Sequence, residues 1–236
     1  MKVLLIVPAY NEEENILNTC NTIKEFSDEI DYVVINDGSK DNTLKVLKEN
    51  NLNHINLIKN LGIGGAVQTG YKYAYENNYD IAIQFDGDGQ HDIKYVADIC
   101  EPIIKGQANM VVGSRYLNKE ISEFKSTFMR RFGSSVISLF IKICTGVKIK
   151  DPTSGFRAVD RKAIEEFAKD YPTEYPEPVS IVQLLAKGYT VKEVPANMHE
   201  RKGGKSSIRL WKTADYMFKV VLSIFIDKLS YKKRRK

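Results

Sequence analysis

Between Gln84 and Asp92 the chain reads QFDGDGQHD, three carboxylates set among glycines at the end of an apolar run. Residues two apart on a strand end point to the same side, so Asp86 and Asp88 could act together, with Gln90 adding a carbonyl oxygen at the next such step. Oxygen donors of this kind suit hard cations such as Mg²⁺ or Mn²⁺, which usually take one or two carboxylates together with substrate phosphates. Gly87 and Gly89 would let a diphosphate approach the backbone closely. His91 could also ligate, but imidazole is a poor choice for these ions. A calcium EF-hand loop counted from Asp86 needs Gly at position six and Glu at position twelve; His91 and Ala97 stand there. A solvated Asp/Gly turn stays open as the plain alternative. Asp92 is placed to cap the helix that follows.

A second glycine-rich stretch, NLGIGGAVQTG, raises the question of a phosphate cradle. Read from Gly62, the dinucleotide fingerprint GxGxxG fails at Val67, and the first strand is followed by PAYNEEE without a glycine. No GxxxxGK[ST] loop occurs either. Nicotinamide-dinucleotide binding and P-loop hydrolysis are thereby set aside.

The elements that must position these residues follow from the apolar pattern. Short β-branched runs alternate with longer amphipathic segments: KVLLIV then Glu12 to Phe26, YVVIND then Asp41 to Glu49, HINLI then Gly64 to Glu76, DIAIQFD then Ile93 to Lys105, and NMVVGS. Such alternation predicts βαβ units and a mostly parallel sheet with helices on both faces. Ligands of open α/β sheets bind at the carboxyl ends of the strands. PAYNEEE, NDGSKDN, KNLGIGG and DGDGQHD would therefore converge on one rim. Beyond Ser114 the sequence predicts an apolar helix over Phe128 to Cys144, a turn-rich KDPTSGFRAVD, a helix near Val179 to Lys187, a strand YTVKEVP and a final helix.

The 236 residues, 43% of them hydrophobic, are ample for a packed core and exclude a disordered or fibrous chain. The apolar run before Pro8 is shorter than the roughly 7 to 15 residues of a secretory signal core, which reads as the first strand of a cytoplasmic protein. Cys20, Cys100 and Cys144 form neither a CxxC pair nor an even framework and are expected as core thiols. Charge is unevenly spread. Residues 201–236 carry twelve Lys/Arg against two Asp, hence +10, and the first 200 carry 23 basic against 28 acidic residues, hence −5.

VPAYNEEENI, VINDGSKDNT, NLGIGGAVQTGYKYA, FDGDGQHD, VGSRY, DPTSGFRAV, KGYTVKEVP and ERKGGKSSI, in this order from Val7 to Ile208, together resemble the family 2 glycosyltransferases with a GT-A fold, most closely those that act on polyprenyl phosphates. The resemblance implies a Rossmann-like α/β catalytic domain over residues 1–208 and an inverting, metal-dependent transfer from a UDP-, GDP- or dTDP-linked sugar to a dolichyl or undecaprenyl phosphate. It implies that Pro8, Tyr10, Glu12 and Asp37 hold the nucleoside, with Asp86 on the ribose side, and that Asp88 and Gln90 hold Mg²⁺ or Mn²⁺ against the diphosphate. Ala9, Gly65 and Gly87, inside the matching stretches, join them as substrate-binding candidates. Arg130 or Arg131 with Ser134 match the acceptor-phosphate segment.

Negative charge grows on the departing diphosphate, so cationic donors are needed near it. Arg115, Arg201 and Lys205 are the candidates, the last two flanking a Gly203–Gly204 pair that suggests a closing loop. A phosphate monoester is already anionic at neutral pH, its second pKa lying near ~6, whereas a hydroxyl acceptor would need a carboxylate base. Glu177 and Asp151 are the available carboxylates; where related sequences often carry a second acid after PEP this chain has Val179. The alternatives to a phosphate acceptor are a hydroxyl of a lipid-linked polysaccharide and, outside enzymes, a membrane scaffold that binds a nucleotide sugar.

No segment offers the roughly 20 apolar residues of a spanning helix. In residues 209–236, Asp215, Lys219, Ser223 and Asp227 recur every fourth position on an otherwise apolar helix, followed by YKKRRK. An amphipathic helix with a polybasic patch predicts peripheral attachment to an anionic membrane at its cytoplasmic face; pairing with a small membrane protein and packing against the core are the other readings. The helix containing Arg130 and Arg131 could also lie on the bilayer, and Trp211 would suit the interface. Nucleic acid is not an expected partner, because the basic tail lacks interleaved stacking aromatics.

Overall fold

A computed structural model describes residues 1–27, 29–117, 128–198, 219–223 and 225, with the backbone alone for 128–130. Seven strands form one sheet in the order β3-β2-β1-β4-β6-β5-β7. They are β1 (Val3–Ala9), β2 (Ile30–Asn36), β3 (His54–Asn56), β4 (Ile81–Gln84), β5 (Met110–Ser114), β6 (Arg157–Asp160) and β7 (Val191–Pro195). Every neighbouring pair is parallel except those of β6, which runs against both β4 and β5. The helices are α1 (Ile16–Phe26), α2 (Thr43–Glu49), α3 (Gly62–Glu76), α4 (Val96–Ile104), α5 (Phe128–Thr145), α6 (Arg161–Lys169) and α7 (Pro176–Ala186).

Strand periodicity divides the core into two layers. Leu4, Ile6, Val33, Ile35 and Ala82 share one layer with Tyr71 of α3 and Phe167 of α6, while Leu5, Val7, Val34, Ile81 and Ile83 share the other with Ile16 and Ile23 of α1 and Ile99 of α4. Side chains alternate across a strand, so adjacent apolar residues feed opposite faces. The mostly parallel, doubly covered sheet expected from the alternation is present. Two glycines of α3 serve its docking: a Cβ on Gly70 would sit 2.2 Å from Ile6 Cγ2, and one on Gly64 would sit 2.4 Å from the Pro172 carbonyl oxygen.

The second half holds two elements absent from the expected order, β6 and α6. β6 occupies the segment expected as turns. α6 starts at Asp160, whose carboxylate accepts the Ala163 N–H at 2.8 Å, and buries Ala163, Ile164, Phe167 and Ala168 at helical spacing.

Residues 219–223 are helical; Val220 is fully buried in the core, whereas Leu222 and Phe225 are exposed. The remainder of 209–236, Trp211 included, lies outside the described residues, as do Arg201 and Lys205. Among the described residues no helix is long and apolar enough to cross a membrane.

Candidate active site

The carboxyl ends of β1, β2 and β4 and the start of α3 enclose a cleft of about 720 Å³. All four loops that the strand order predicted on one rim contribute to its wall: Pro8 to Glu12, Asp37, Asn60 with Gly62, and Asp86 to Asp88. Glu177 reaches in from α7. Gly65 does not line the cleft: it is buried within α3 against Leu61.

The nucleoside-side candidates are held by their neighbours. The Glu12 N–H donates to Thr43 Oγ1 at 2.9 Å, and Glu12 Oε2 accepts from Asn15 Nδ2 at 2.9 Å. The buried Asp37 carboxylate accepts the Leu61 N–H at 2.7 Å, tying the end of β2 to the entrance of α3. This crossing is tight. Gly38 has φ +63°, and a Cβ there would lie 2.7 Å from Asn60 N, so both conformation and space demand glycine. Tyr10 stands at the wall of the cleft, 41% exposed.

The acidic loop separates its functions by direction. The Asp86 N–H donates to His91 Nδ1 at 3.0 Å, which assigns the imidazole proton to Nε2, 3.4 Å from Asp86 Oδ2. His91 is buried against the Phe85 and Phe156 rings, and this burial pushes its pKa down, with Asp86 opposing. Its ring therefore serves Asp86. Gly155 completes the seat, since a Cβ there would come within 2.8 Å of Asp86 Oδ2. Asp88 lines the cleft while its Oδ1 accepts the Gln90 N–H at 3.1 Å. Asp92 caps the 3₁₀ turn Ile93–Tyr95, accepting the Lys94 N–H at 3.1 Å. Among the described residues no group of three His, Cys, Asp or Glu side chains could hold a metal ion.

Arg115, at the end of β5, forms a fork with Asp151: Nε to Oδ2 is 2.8 Å, Nη2 to Oδ1 is 2.7 Å, and the Arg115 N–H also donates to Oδ2 at 3.0 Å. Asp151 is completely buried. Burial opposes the Arg115 charge, and the Asp151 carboxylate outweighs it, so the guanidinium pKa lies above its ordinary value. Asp151 thus seats Arg115, and its two oxygens are turned to that task. Glu177, partly buried, has its pKa raised by burial, with the Arg157 charge opposing and Asp86 adding to the rise.

A second cavity of about 590 Å³ adjoins Arg115 and Tyr116 and is lined further by Arg131, Ser135, Ser138, Lys142, Lys148 and Lys150. Four cations besides Arg115 make it an anion-attracting groove. Ser134 is buried and donates to the Lys150 carbonyl at 3.4 Å, so the groove presents the next hydroxyl, Ser135. The Arg130 side chain lies outside the described residues.

The geometry missed by sequence reasoning is the support of these residues: His91, Gly155 and Arg157. The last is a wholly buried arginine inside the segment read as a turn.

The model of the family described as Glycosyl transferase family 2 matches residues 4–168. A UDP-N-acetylglucosamine–dolichyl-phosphate N-acetylglucosaminyltransferase of Methanococcus voltae is 35% identical over 213 residues, covering 82% of this chain and 84% of the relative. An undecaprenyl-phosphate mannosyltransferase of Micrococcus luteus is 28% identical, covering 88% of each. In fold, the chain is similar to glucosyl-3-phosphoglycerate synthase from Mycobacterium tuberculosis in complex with Mn²⁺, UDP-glucose and phosphoglyceric acid, with a TM-score of 0.71 at 14% identity over 96% of this chain and 79% of that one. A mixed, mostly parallel sheet with an acidic cleft at its carboxyl rim is the architecture of a GT-A glycosyltransferase. The chain belongs to glycosyl transferase family 2.

Proposed function

We propose that this protein transfers a sugar, with inversion, from a nucleotide sugar to a polyprenyl phosphate at the cytoplasmic surface of a membrane. The observation that carries this reading is the pair of unlike cavities, one carboxylate-lined and one lysine- and arginine-lined, with the Arg115 charge at the basic groove interacting with Asp86 of the cleft. The named activities of the two relatives support the acceptor class.

Tyr10, Glu12 and Asp37 bind the nucleoside, and the rigid backbone from Pro8 to Ala9 shapes its seat. Asp86, oriented by His91, faces the ribose. Asp88, at the wall of the cleft, and Gln90, outside its lining, offer a carboxylate and an amide oxygen and no soft donor, a set that would suit Mg²⁺ or Mn²⁺ with water and phosphate as further ligands. When bound, such a cation offsets charge on the diphosphate. The acceptor phosphate sits in the basic groove at Arg115, Arg131 and Ser135. One of its oxygens forms the new bond to the anomeric carbon as the bond to the nucleoside diphosphate breaks, the electron pair leaving with the diphosphate. No proton has to move, because the monoester is anionic at neutral pH. Asp151 holds Arg115 in line, and Glu177 closes the cleft opposite Asp86. Arg201 and Lys205, outside the described residues, are retained as phosphate contacts.

Residues 209–236 would attach the 1–208 domain to the membrane. The outer side of α5 supports the same orientation: Phe132, Leu139 and Ile143 are 55–60% exposed beside Arg131 and Lys142. Sedimentation with vesicles tests this: retention by anionic but not neutral vesicles, lost when residues 231–236 are removed, is expected. The reaction itself is tested by incubating the protein with Mg²⁺, a panel of nucleotide sugars and either polyprenyl phosphate or a hydroxyl-bearing glycolipid, and identifying the product by mass spectrometry.

A further inference from the structure

Arg157 is the largest fully buried side chain among the described residues. It opens β6 and pairs with Gln84 of β4 on one side and Val112 of β5 on the other. A buried guanidinium normally has a carboxylate partner, because a lone buried charge is costly. Here its hydrogen bonds go to neutral groups. Nε and Nη2 donate to the Ser154 carbonyl, Nη2 also reaches the Pro152 carbonyl at 3.4 Å, and Nη1 donates to the Glu177 carbonyl at 2.7 Å and to Ser180 Oγ at 3.0 Å.

These acceptors belong to two segments that carry different parts of the proposed site. Pro152 and Ser154 lie in the turn that begins with Asp151, the seat of Arg115. Glu177 and Ser180 are the second and fifth residues of α7, which follows Tyr175 in a left-handed conformation, φ 51° and ψ 47°. A non-glycine residue keeps that conformation only where its surroundings enforce it. The turn is gripped from its other end as well: Glu193 of β7 accepts the N–H groups of Lys150 and Asp151 at 2.7 and 2.8 Å. One half-buried acid thus holds the amides and one buried guanidinium holds the carbonyls.

We infer that Arg157 is a positioning residue that fixes the separation between the Arg115 guanidinium and the Glu177 carboxyl, by bridging the backbone of the turn that seats the first to the backbone of the helix that carries the second. It rests on the proposed transfer reaction for its kinetic consequence, and on the fold alone for its mechanical one. The planar fork is what the bridge requires; an ammonium keeps the charge and cannot span the acceptors of both segments.

The test compares wild-type protein with Arg157→Lys and with Ser180→Ala, which removes one acceptor of the bridge and adds no charge. Hydrogen–deuterium exchange is read by peptide, and transfer is assayed with the donor and polyprenyl phosphate. Expected for Arg157→Lys is faster exchange confined to residues 151–156 and 176–181, a kcat reduced about 10- to 100-fold as for a misplaced catalytic group, and an affinity for nucleoside diphosphate within twofold of wild type. Ser180→Ala should shift the same two segments to a smaller extent, and it carries the test if the lysine variant does not fold. Unchanged kcat in an active system, exchange rising in only one segment or in neither, or exchange rising uniformly across the sheet overturns the proposal. If wild-type protein glycosylates no polyprenyl phosphate, the reading of the reaction fails, and the paired exchange response still decides the role of Arg157.

Discussion

Asp88 and Asp151 show how residues of the same type can serve opposite purposes. Asp88 faces the cleft, and Asp151 is wholly buried with both oxygens on Arg115. Asp88→Ala is expected to lower transfer at least about 100-fold, the scale of losing several kcal/mol of charge stabilisation, with the fold intact by circular dichroism. Asp151→Ala removes one partner of a buried ion pair, so urea denaturation should show a loss of about 3–5 kcal/mol. Glu177 discriminates between acceptors. A general base contributes about 10²–10⁴-fold, so Glu177→Gln should retain activity within about tenfold for a phosphate acceptor, and a loss beyond that range would point to a hydroxyl. The candidate site was largely legible at this scale, since Pro8, Ala9, Tyr10, Glu12, Asp37, Asp86, Gly87, Asp88 and Glu177 all line one cleft. The supports were not legible. Nothing in the spacing of QFDGDGQHD says that His91 turns its ring to Asp86, because that depends on the burial of the ring against Phe156, 65 positions further along the chain.

Among the elements, α3 carries a different lesson from the one its glycines first suggest. Gly64 and Gly70 admit neighbouring chain rather than phosphate. Gly70→Ala is therefore expected to destabilise the protein by about 1–3 kcal/mol, as overpacking does, measurable as a lowered denaturation midpoint with nucleotide affinity per folded molecule unchanged. The first four βα units were readable because their strands lie in apolar stretches ended by turn clusters, although of HINLI only His54–Asn56 is paired as β3. β6 was not. Its four residues, Arg157 to Asp160, begin and end in charges, and the arginine is compatible with the interior only because carbonyls from two other segments meet it. α6 did leave a signal: Asp160 at the cap and apolar residues three and four apart.

For the molecule as a whole, the three cysteines are free and buried, as expected of core thiols. Burial raises the pKa of Cys20 and of Cys100 to about 12 from an ordinary 9.0. Their contribution to stability is complete below pH 9 and is lost as pH rises toward 12, because the unfolded thiols ionise first. Each should cost about 1.4 kcal/mol per pH unit in that window, seen as a falling urea midpoint. The same burial predicts that a thiol reagent at pH 8 labels none of the three in native protein and all three in denaturant. Charge is segregated at this scale too, the acidic first 200 residues holding the carboxylate-lined cleft and residues 201–236 carrying the basic excess. The most direct measurement is mass spectrometry of the lipid fraction after incubating wild-type protein with Mg²⁺, nucleotide sugars and polyprenyl phosphate. The expected result is a donor-dependent glycosyl phosphate on the lipid, absent with chelator and with Asp88→Ala; no glycolipid from any donor, or sugar transferred only to a hydroxyl acceptor, would contradict it.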